Sequence, residues 1–423
     1  MSEVVGNKQI HIIGGGTFEP VTSHLAIAAP ARGTTARRLG ELTREMIPEM
    51  DTNVHLTQMA DPSSSLRTSE DLRGLATEIV NDYATKIVFM SAMVADFQGK
   101  LRDGVNPQSG KPDSREPHTM DLLPNPKIVQ MFRKETVEGQ TQPRKDIFLA
   151  AFKTTVGAPP DIQYMIGLKA LKENGANLVL ANDTETRMNM VIVPEESAYG
   201  VGTDREKALR KLVEIAFLRS QLTFTRSTVI GGELIDMDSD EVYPSARAVI
   251  QHLIDSGAYK AIDNKTAGHY AVKISDNEFI TSVRKTNFNT FRKLVRVTTD
   301  REDHVIAHGA TPSVGGQSQR IVYERHPEMD CIAHAHVPLR SDAPDDIPVV
   351  SQEAFECGSH QCGQNTAGGL GVFENGLIKA VMLDNHGPNI VWHHSTDPQL
   401  VIDFFDRNFD ASQKTGGYVA EAA

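Results

Sequence analysis

The chain has 423 residues, too many for one ordinary core, and its 39% hydrophobic and 23% charged composition fits a globular protein of two domains. A formal net charge of -12 disfavours non-specific nucleic-acid binding, although a local basic patch remains compatible with phosphate recognition. There is no run of about 18 apolar residues, so no membrane-spanning helix is expected.

The Met1-Ser2-Glu3 start does not read as a secretory signal, because the first apolar run is short and closed by glycine. Three cysteines argue against a disulfide framework and for a reducing, cytoplasmic compartment. Gln9-Ile10-His11-Ile12-Ile13 is a short β-type run that stops at Gly14-Gly15-Gly16-Thr17. Such a strand end lets the backbone turn closely around a phosphate or a base, or makes a plain tight turn. The spacing is neither the dinucleotide fingerprint nor a Walker loop.

Residues 31–46 are basic and helical, with Arg32, Arg37, Arg38 and Arg44. They read as a helix start facing an anionic ligand, or as an amphipathic helix with solvated arginines. A second helix covers 70–84. Lys86-Ile87-Val88-Phe89-Met90 is a central strand by its continuous apolar character. Asp96 falls just past its carboxyl end, where open α/β sheets bind ligands. Residues 98–118 read as a mobile polar loop. A helix over 127–134, a strand over 146–152, a helix over 162–174 and a strand over 176–180 follow. This alternation predicts a parallel sheet with helices on both faces. Polar residues recur at the strand ends, at Thr17, Asp96, Lys153 and Asn182, which points to one site.

The series Gly14-Gly15-Gly16-Thr17, Ala92-x-Val94-Ala95-Asp96-Phe97, Leu122-x-x-Asn125-Pro126, Ala150-Ala151-Phe152 and Ala181-Asn182-Asp183 resembles phosphopantothenoylcysteine synthetase, the phosphopantothenate–cysteine ligase of coenzyme A biosynthesis. The resemblance covers about the first 215 residues. It implies a Rossmann-like, usually dimeric domain that activates a carboxylate with CTP or ATP and magnesium. Gly15, Gly16, Thr17, Asp96, Phe152 and Asn182 would surround the nucleotide, with Lys169 and Lys172 near its triphosphate. Two family features are replaced. The Asn before the first helix gives way to Pro30-Ala31-Arg32-Gly33, and the Lys-x-Lys-Lys flap to Lys111-Pro112-Asp113-Ser114-Arg115.

A helix covers 204–218. Residues 221–242 then change character, with Gly231-Gly232 and the acidic run Asp236-Met237-Asp238-Ser239-Asp240-Glu241. They read as a solvated linker between domain 1–220 and domain 243–423. The acidic run is alternatively a cation site.

In the second half, a helix over 245–256 precedes short strands at 269–274, 278–280 and 293–297, and 317–324 reads as a helix. Asp330-Cys331-Ile332-Ala333-His334-Ala335-His336 is a buried strand. Residues i and i+2 of a strand share a face, so His334 and His336 can offer two imidazoles to one metal, or be two satisfied core histidines. Asn385-His386-Gly387 follows another apolar run and adds a third candidate. Cys357 and Cys362 flank a loop; with His360 they are alternative ligands, or two free thiols. A helix over 397–408 closes the chain.

These parts resemble the class II aldolase/adducin family: Phe279-Ile280-Thr281-Ser282, Thr311-Pro312-Ser313, Ile321-Val322-Tyr323-x-x-His326-Pro327, the His-x-His strand and Asn385-His386-Gly387. The resemblance implies that His334, His336 and His386 bind a divalent ion, zinc foremost, in a cyclic oligomer that cleaves sugar phosphates at an aldol bond. The family's acid/base Glu falls on Gly315, and its Gly-Asn-x-Ser phosphate loop on Gly268-His269-Tyr270-Ala271. Glu353 and Glu356 are the substitute carboxylates. The expected fold class is therefore α/β: a Rossmann-like parallel-sheet domain, then an α/β class II aldolase-like domain with a mainly antiparallel sheet. The expected function is a nucleotide-binding ligase-like domain joined to a metal-dependent lyase with a small-molecule substrate, in a homo-oligomer. The alternative is a non-catalytic oligomer that binds ligands or partners.

Overall fold

The computed structural model describes residues 8–102, 110–224, 226–301 and 304–415. The Met1-Ser2-Glu3 start, residues 103–109 of the expected loop and the final residues 416–423 lie outside them. The chain forms two compact units, Met1–Val193 with Gly200–Ser220, and Pro194–Tyr199 with Gln221–Ala423.

The first unit is built on β1 (Gln9–Gly14), β2 (Asp51–Leu56), β3 (Thr85–Met90), β4 (Phe148–Thr155), β5 (Leu178–Asp183), β6 (Asn189–Ile192) and, from Gly200 on, β7 (Ala198–Gly202). Their order in the sheet is β7-β6-β5-β4-β3-β1-β2. The strands from β2 to β5 pair in parallel, and β6 turns back against β5. The expected Rossmann-like sheet is therefore present, with an antiparallel extension. Chain order reverses between β1 and β3, which opens a crevice at their carboxyl ends. Ile87, Val88 and Phe89 are fully buried, as a strand covered on both faces must be.

Helix α1 (Thr34–Met46) buries Ala36, Leu39 and Leu42 at helical spacing. Arg38 on its outer face pairs with Glu41 and with Glu206 of the later helix 205–220, so this arginine serves packing. Helix α2 (Ser69–Asn81) starts at a reciprocal capping box between Thr68 and Asp71. Helix α3 (Pro160–Asn174) opens on proline and closes on a left-handed Gly175. Helix α4 is Arg205–Ser220. Three local expectations change. β2 was not foreseen, because Asp-Thr-Asn-Val-His-Leu is mostly polar. The helix expected over 127–134 shrinks to Ile128–Met131. The loop expected from 98 begins as strand Phe97–Leu101, paired antiparallel with Met120–Pro124.

The second unit contains β8 (Arg226–Ile230), β9 (His269–Ser275), β10 (Glu278–Ser282), β11 (Lys293–Arg301), β12 (His304–His308), β13 (Cys331–His334), β14 (Ile378–Leu383) and β15 (Gly387–Trp392). They run β8-β12-β11-β10-β9-β13-β15-β14, and Val349–Val350 follows at the far edge. Pairing is antiparallel from β12 to β14 and parallel at the two edges. One face packs on α5 (Pro244–Asp255) and, later in the chain, α8 (Pro398–Asn408), around Tyr259, Tyr270, Trp392, Phe404 and Phe405. Ile332 and Val391 point to the other face, against α6 (Gln317–Arg325) and Ala367 of α7 (His360–Gly369).

The expected linker 221–242 is not a free connection. It supplies β8 and the short strand Ile235–Asp236, and it buries Met237 and Val242 in the core. β8 lacked a sequence signal because residues 227–230 are all exposed and show no alternation. The acidic run is divided among partners, Asp236 with Lys293 at 3.5 Å and Glu241 with Arg296. Helix α7 was also unforeseen, since its glycines 363, 368 and 369 read as loop.

Candidate functional site

The alternation of β13 sends Cys331 and Ala333 into one core and turns Ile332 and His334 to the opposite face. His336 follows two residues later, and the turn between β14 and β15 brings in His386. That turn needs Asn385 in the left-handed region (φ 57). It also needs glycine at 387, where a Cβ would lie 2.1 Å from the Ala335 oxygen.

One ring nitrogen from each of His334, His336 and His386 lies within 4.8 Å of the others. His334 Nε2 and His386 Nε2 are 3.3 Å apart, about the edge of a tetrahedron around an ion bound at roughly 2.0–2.1 Å. His334 Nδ1 lies 2.7 Å from the Pro388 carbonyl. Donation there fixes the tautomer and leaves Nε2 as the open lone pair. His336 Nδ1 is buried and has no hydrogen-bond partner. Burial pulls the pKa of His334 down to about 4 and holds that of His336 well below the ordinary value, so both rings are neutral, the form that ligates. The three-histidine set therefore fits a divalent metal.

Around this centre lie two residues the sequence named in other roles, His269 and Cys357, and several that it did not. His269, on β9, stands opposite His334 in register, with ring centroids 5.1 Å apart. Segment Pro194–Tyr199 belongs to this unit. Ser197 Oγ donates to the Asn385 carbonyl, and Asn385 Nδ2 donates to the Ala198 carbonyl at 2.9 Å. The Glu195 carboxylate accepts the Cys357 amide at 2.7 Å, and Cys357 Sγ sits 3.3 Å from His386 Nε2. From the C-terminal side, the Thr415 amide donates to the His336 carbonyl at 3.1 Å, and the Thr415 hydroxyl donates to the His386 carbonyl. Lys414 forms a buried ion pair with Glu196 at 3.3 Å.

Glu353 and Glu356 are half-buried on the loop that carries Cys357, and it is Cys357 that touches His386. Gly315 lies in the single turn Ser313–Gly316 before α6.

In the first unit, the glycines after β1 are sterically required. A Cβ on Gly15 (φ 100) would come within 2.1 Å of Thr57 Oγ1, and one on Gly16 within 1.9 Å of the Ala29 oxygen. The Met93 amide donates to Gly15 at 2.9 Å, and the Ala95 amide donates to Thr17 Oγ1 at 2.9 Å. Asn125 clamps the same turn by donating to the Ala95 carbonyl at 2.9 Å. Asp96 is exposed beside Lys127, at 2.5 Å. Phe152 and Asn182 lie toward the carboxyl ends of β4 and β5, and Thr154 donates to the Asn182 side chain at 3.4 Å. Gly15, Gly16, Thr17, Asp96, Phe152 and Asn182 thus share one edge of the sheet.

Lys169 and Lys172 do not join them. They sit in the last turns of α3, and Lys169 faces Glu173 at 3.9 Å. The helix runs back from the carboxyl edge, so Lys169 is about 14 Å along its axis from the start. Sequence spacing located the helix but not its direction relative to the loop.

No protein-family model matches the sequence, and no curated protein matches it. Solved structures do. The DNA/pantothenate metabolism flavoprotein from Streptococcus pneumoniae is 19% identical, covers 49% of this chain and 96% of its own, with a TM-score of 0.37. The C-terminal domain of the coenzyme A biosynthesis bifunctional protein CoaBC is 15% identical over 51% of this chain and 98% of its own, with a TM-score of 0.35. An L-fuculose 1-phosphate aldolase is 17% identical over 40% of this chain and 82% of its own, with a TM-score of 0.31. Each is similar to roughly half of this protein. Among the described residues, no helix is long and apolar enough to cross a membrane.

Proposed function

We propose that this chain is a two-domain enzyme: a divalent-metal lyase of class II aldolase type, preceded by a ligase-like unit that binds CTP or ATP with magnesium. The convergence of His334, His336 and His386 carries this reading. Zinc is the ion such an all-imidazole set favours. When bound, it would supply a Lewis acid toward a carbonyl oxygen of a small, sugar-phosphate-like substrate.

The protein's own residues supply the rest. His334, His336 and His386 hold the ion, and Pro388 fixes the His334 ring. Glu353 and Glu356 are the proposed acid/base carboxylates, supported by their place on the loop that reaches His386. In the first unit, the Gly15-Gly16-Thr17 turn, Asp96, Phe152 and Asn182 are proposed to surround the nucleotide, supported by their shared edge at the strand-order reversal. A homo-oligomer in the cytoplasm accords with both family resemblances and with three cysteines outside any disulfide.

A second reading, a ligand-binding oligomer without turnover, is favoured by Gly315 at the family's Glu position. The near-complete burial of His334, His336 and His386, at 2%, 6% and 1% exposure, favours it too. Metal analysis of the wild type beside His334→Ala, followed by aldol-cleavage assays with and without CTP or ATP, separates the readings. Loss of one ion per chain in the variant together with cleavage by the wild type supports the lyase. Loss of the ion with no cleavage of any sugar phosphate supports the second reading. Equal metal content in both samples removes the metal centre altogether.

A further inference from the structure

We propose that Asp330, His393 and His394 form a second divalent-metal site, of the 2-His-1-carboxylate type, at the opposite end of the strand pair that carries the three-histidine centre. The pairing of β13 with β15 creates it. Their register runs from His334 opposite Asn389 to Cys331 opposite Trp392. Asp330 precedes that last pair and His393-His394 follow it, so all three leave the same end of the ladder. Three residues of strand, about 10 Å, separate that end from His334.

One donor atom from each of Asp330, His393 and His394 lies within 4.8 Å of the others. His393 Nε2 is 3.8 Å from Asp330 Oδ2, and His394 Nδ1 contacts the same oxygen. The His394 amide donates to Asp330 Oδ1 at 2.6 Å, which orients the carboxylate and leaves Oδ2 facing the rings. Tyr243 stacks on His394 with centroids 4.3 Å apart and holds that ring in place.

The charge balance argues for a cation. The Asp330 side chain is only 12% exposed, and the ion-pair partners recorded for it are these two histidines. Among the described residues no lysine or arginine pairs with it. A divalent ion held between the carboxylate and the two rings would balance this mostly buried negative charge.

The ligand types select first-row ions such as Zn2+, Co2+, Ni2+ or Fe2+ over Mg2+ or Ca2+. Loading requires the His393 tautomer with its proton on Nδ1, and it requires the His394 proton to move from Nδ1, where it bonds Asp330 Oδ2, to Nε2. Ser395 Oγ, 2.7 Å from His393 Nδ1, accepts the His393 proton, at the expense of the weaker 3.2 Å contact from the Ser395 amide. The side chains of His393 and His394 are 43% and 42% exposed, so this ion would meet solvent and keep open positions, unlike one held by the buried triad.

The test is metal-stripped, full-length protein dialysed against Zn2+ and, separately, Co2+. Metal is counted in the wild type, His334→Ala, Asp330→Asn and the His393→Ala/His394→Ala double variant. Two ions per chain in the wild type, one in each variant, and an additional six-coordinate Co2+ spectrum lost only with Asp330, His393 and His394 are expected. The exposed histidines make the double variant safe for folding, and near-isosteric Asp330→Asn is the independent check. Unchanged stoichiometry and affinity in both overturns the second site. If Asp330→Asn retains an ion that the double variant loses, the binding is surface histidine chelation and the proposal also fails. If the wild type holds one ion that only His334→Ala loses, this site falls while the lyase reading stands. If it holds one ion that His334→Ala keeps and Asp330→Asn loses, the reverse is true.

Discussion

Asn385 Nδ2 donates to the Ala198 carbonyl at 2.9 Å, so the residue beside a candidate ligand is held by a segment 187 positions earlier in the chain. Asn385→Gly tests that bond in isolation, because glycine accepts the φ of 57 that the turn requires. We expect a stability loss of about 1 kcal/mol and a 10- to 100-fold weaker affinity for Zn2+. Thermal unfolding and competition with a chelator of known affinity measure the two effects. Unchanged affinity would show that His386 keeps its position without this clamp.

A pair of substitutions separates folding from binding at the first unit's turn. Gly16→Ala forces a Cβ to 1.9 Å from the Ala29 oxygen, so a loss of about 3 kcal/mol or more is expected. Asp96→Ala removes an exposed side chain whose recorded partner is Lys127, so stability should change by no more than about 0.5 kcal/mol. If nucleotide binds here, only the second variant will unfold at the wild-type temperature while losing the thermal shift given by CTP or ATP with Mg2+.

Stability should fall as pH is lowered from about 6.5 towards about 4. His11 lies 3.0 Å from His55, and burial first, then its neighbour's charge, lowers its pKa to about 4. The His55 pKa is lowered too, by burial. A lowered value means that the unfolded chain binds the proton first. The stabilising neutral form is therefore complete above the unfolded value and is lost as pH drops through the window. His11→Gln should flatten the acid side of the melting-temperature profile; an unaltered profile would place the acid sensitivity elsewhere.

Thr68→Ala should cost about 1 kcal/mol, because Thr68 Oγ1 accepts the Asp71 amide and Asp71 answers with two bonds to the preceding backbone. Chemical denaturation followed by circular dichroism reads this. A loss below about 0.3 kcal/mol would mean that solvent replaces the cap.

What the sequence made legible was whatever repeats at a short period. The two-residue repeat of a strand put His334 and His336 on one face, and their rings do converge although β13 ends at His334; α1 and α5 were visible from their apolar spacing. Helix–strand alternation likewise announced the parallel sheet. What stayed hidden depends on distant pairing. β8 binds β12 across more than seventy residues, and its exposed side chains leave no pattern. Glu195, Ser197 and Thr415 act through hydrogen bonds made across long stretches of chain, which need only a polar group in the right place. Lys169 and Lys172 were placed near the triphosphate by the family resemblance alone, which does not tell in which direction their helix runs from the loop.

The excursion of Pro194–Tyr199 also bears on how this protein can be taken apart. The backbone crosses between units at 194, at 200 and again at 221. A gene divided at codon 221 would strand six residues with the wrong product, and the later product would lack the clamp on Asn385. Exchange of either half by recombination faces the same obstacle unless residues 194–199 travel with the later half.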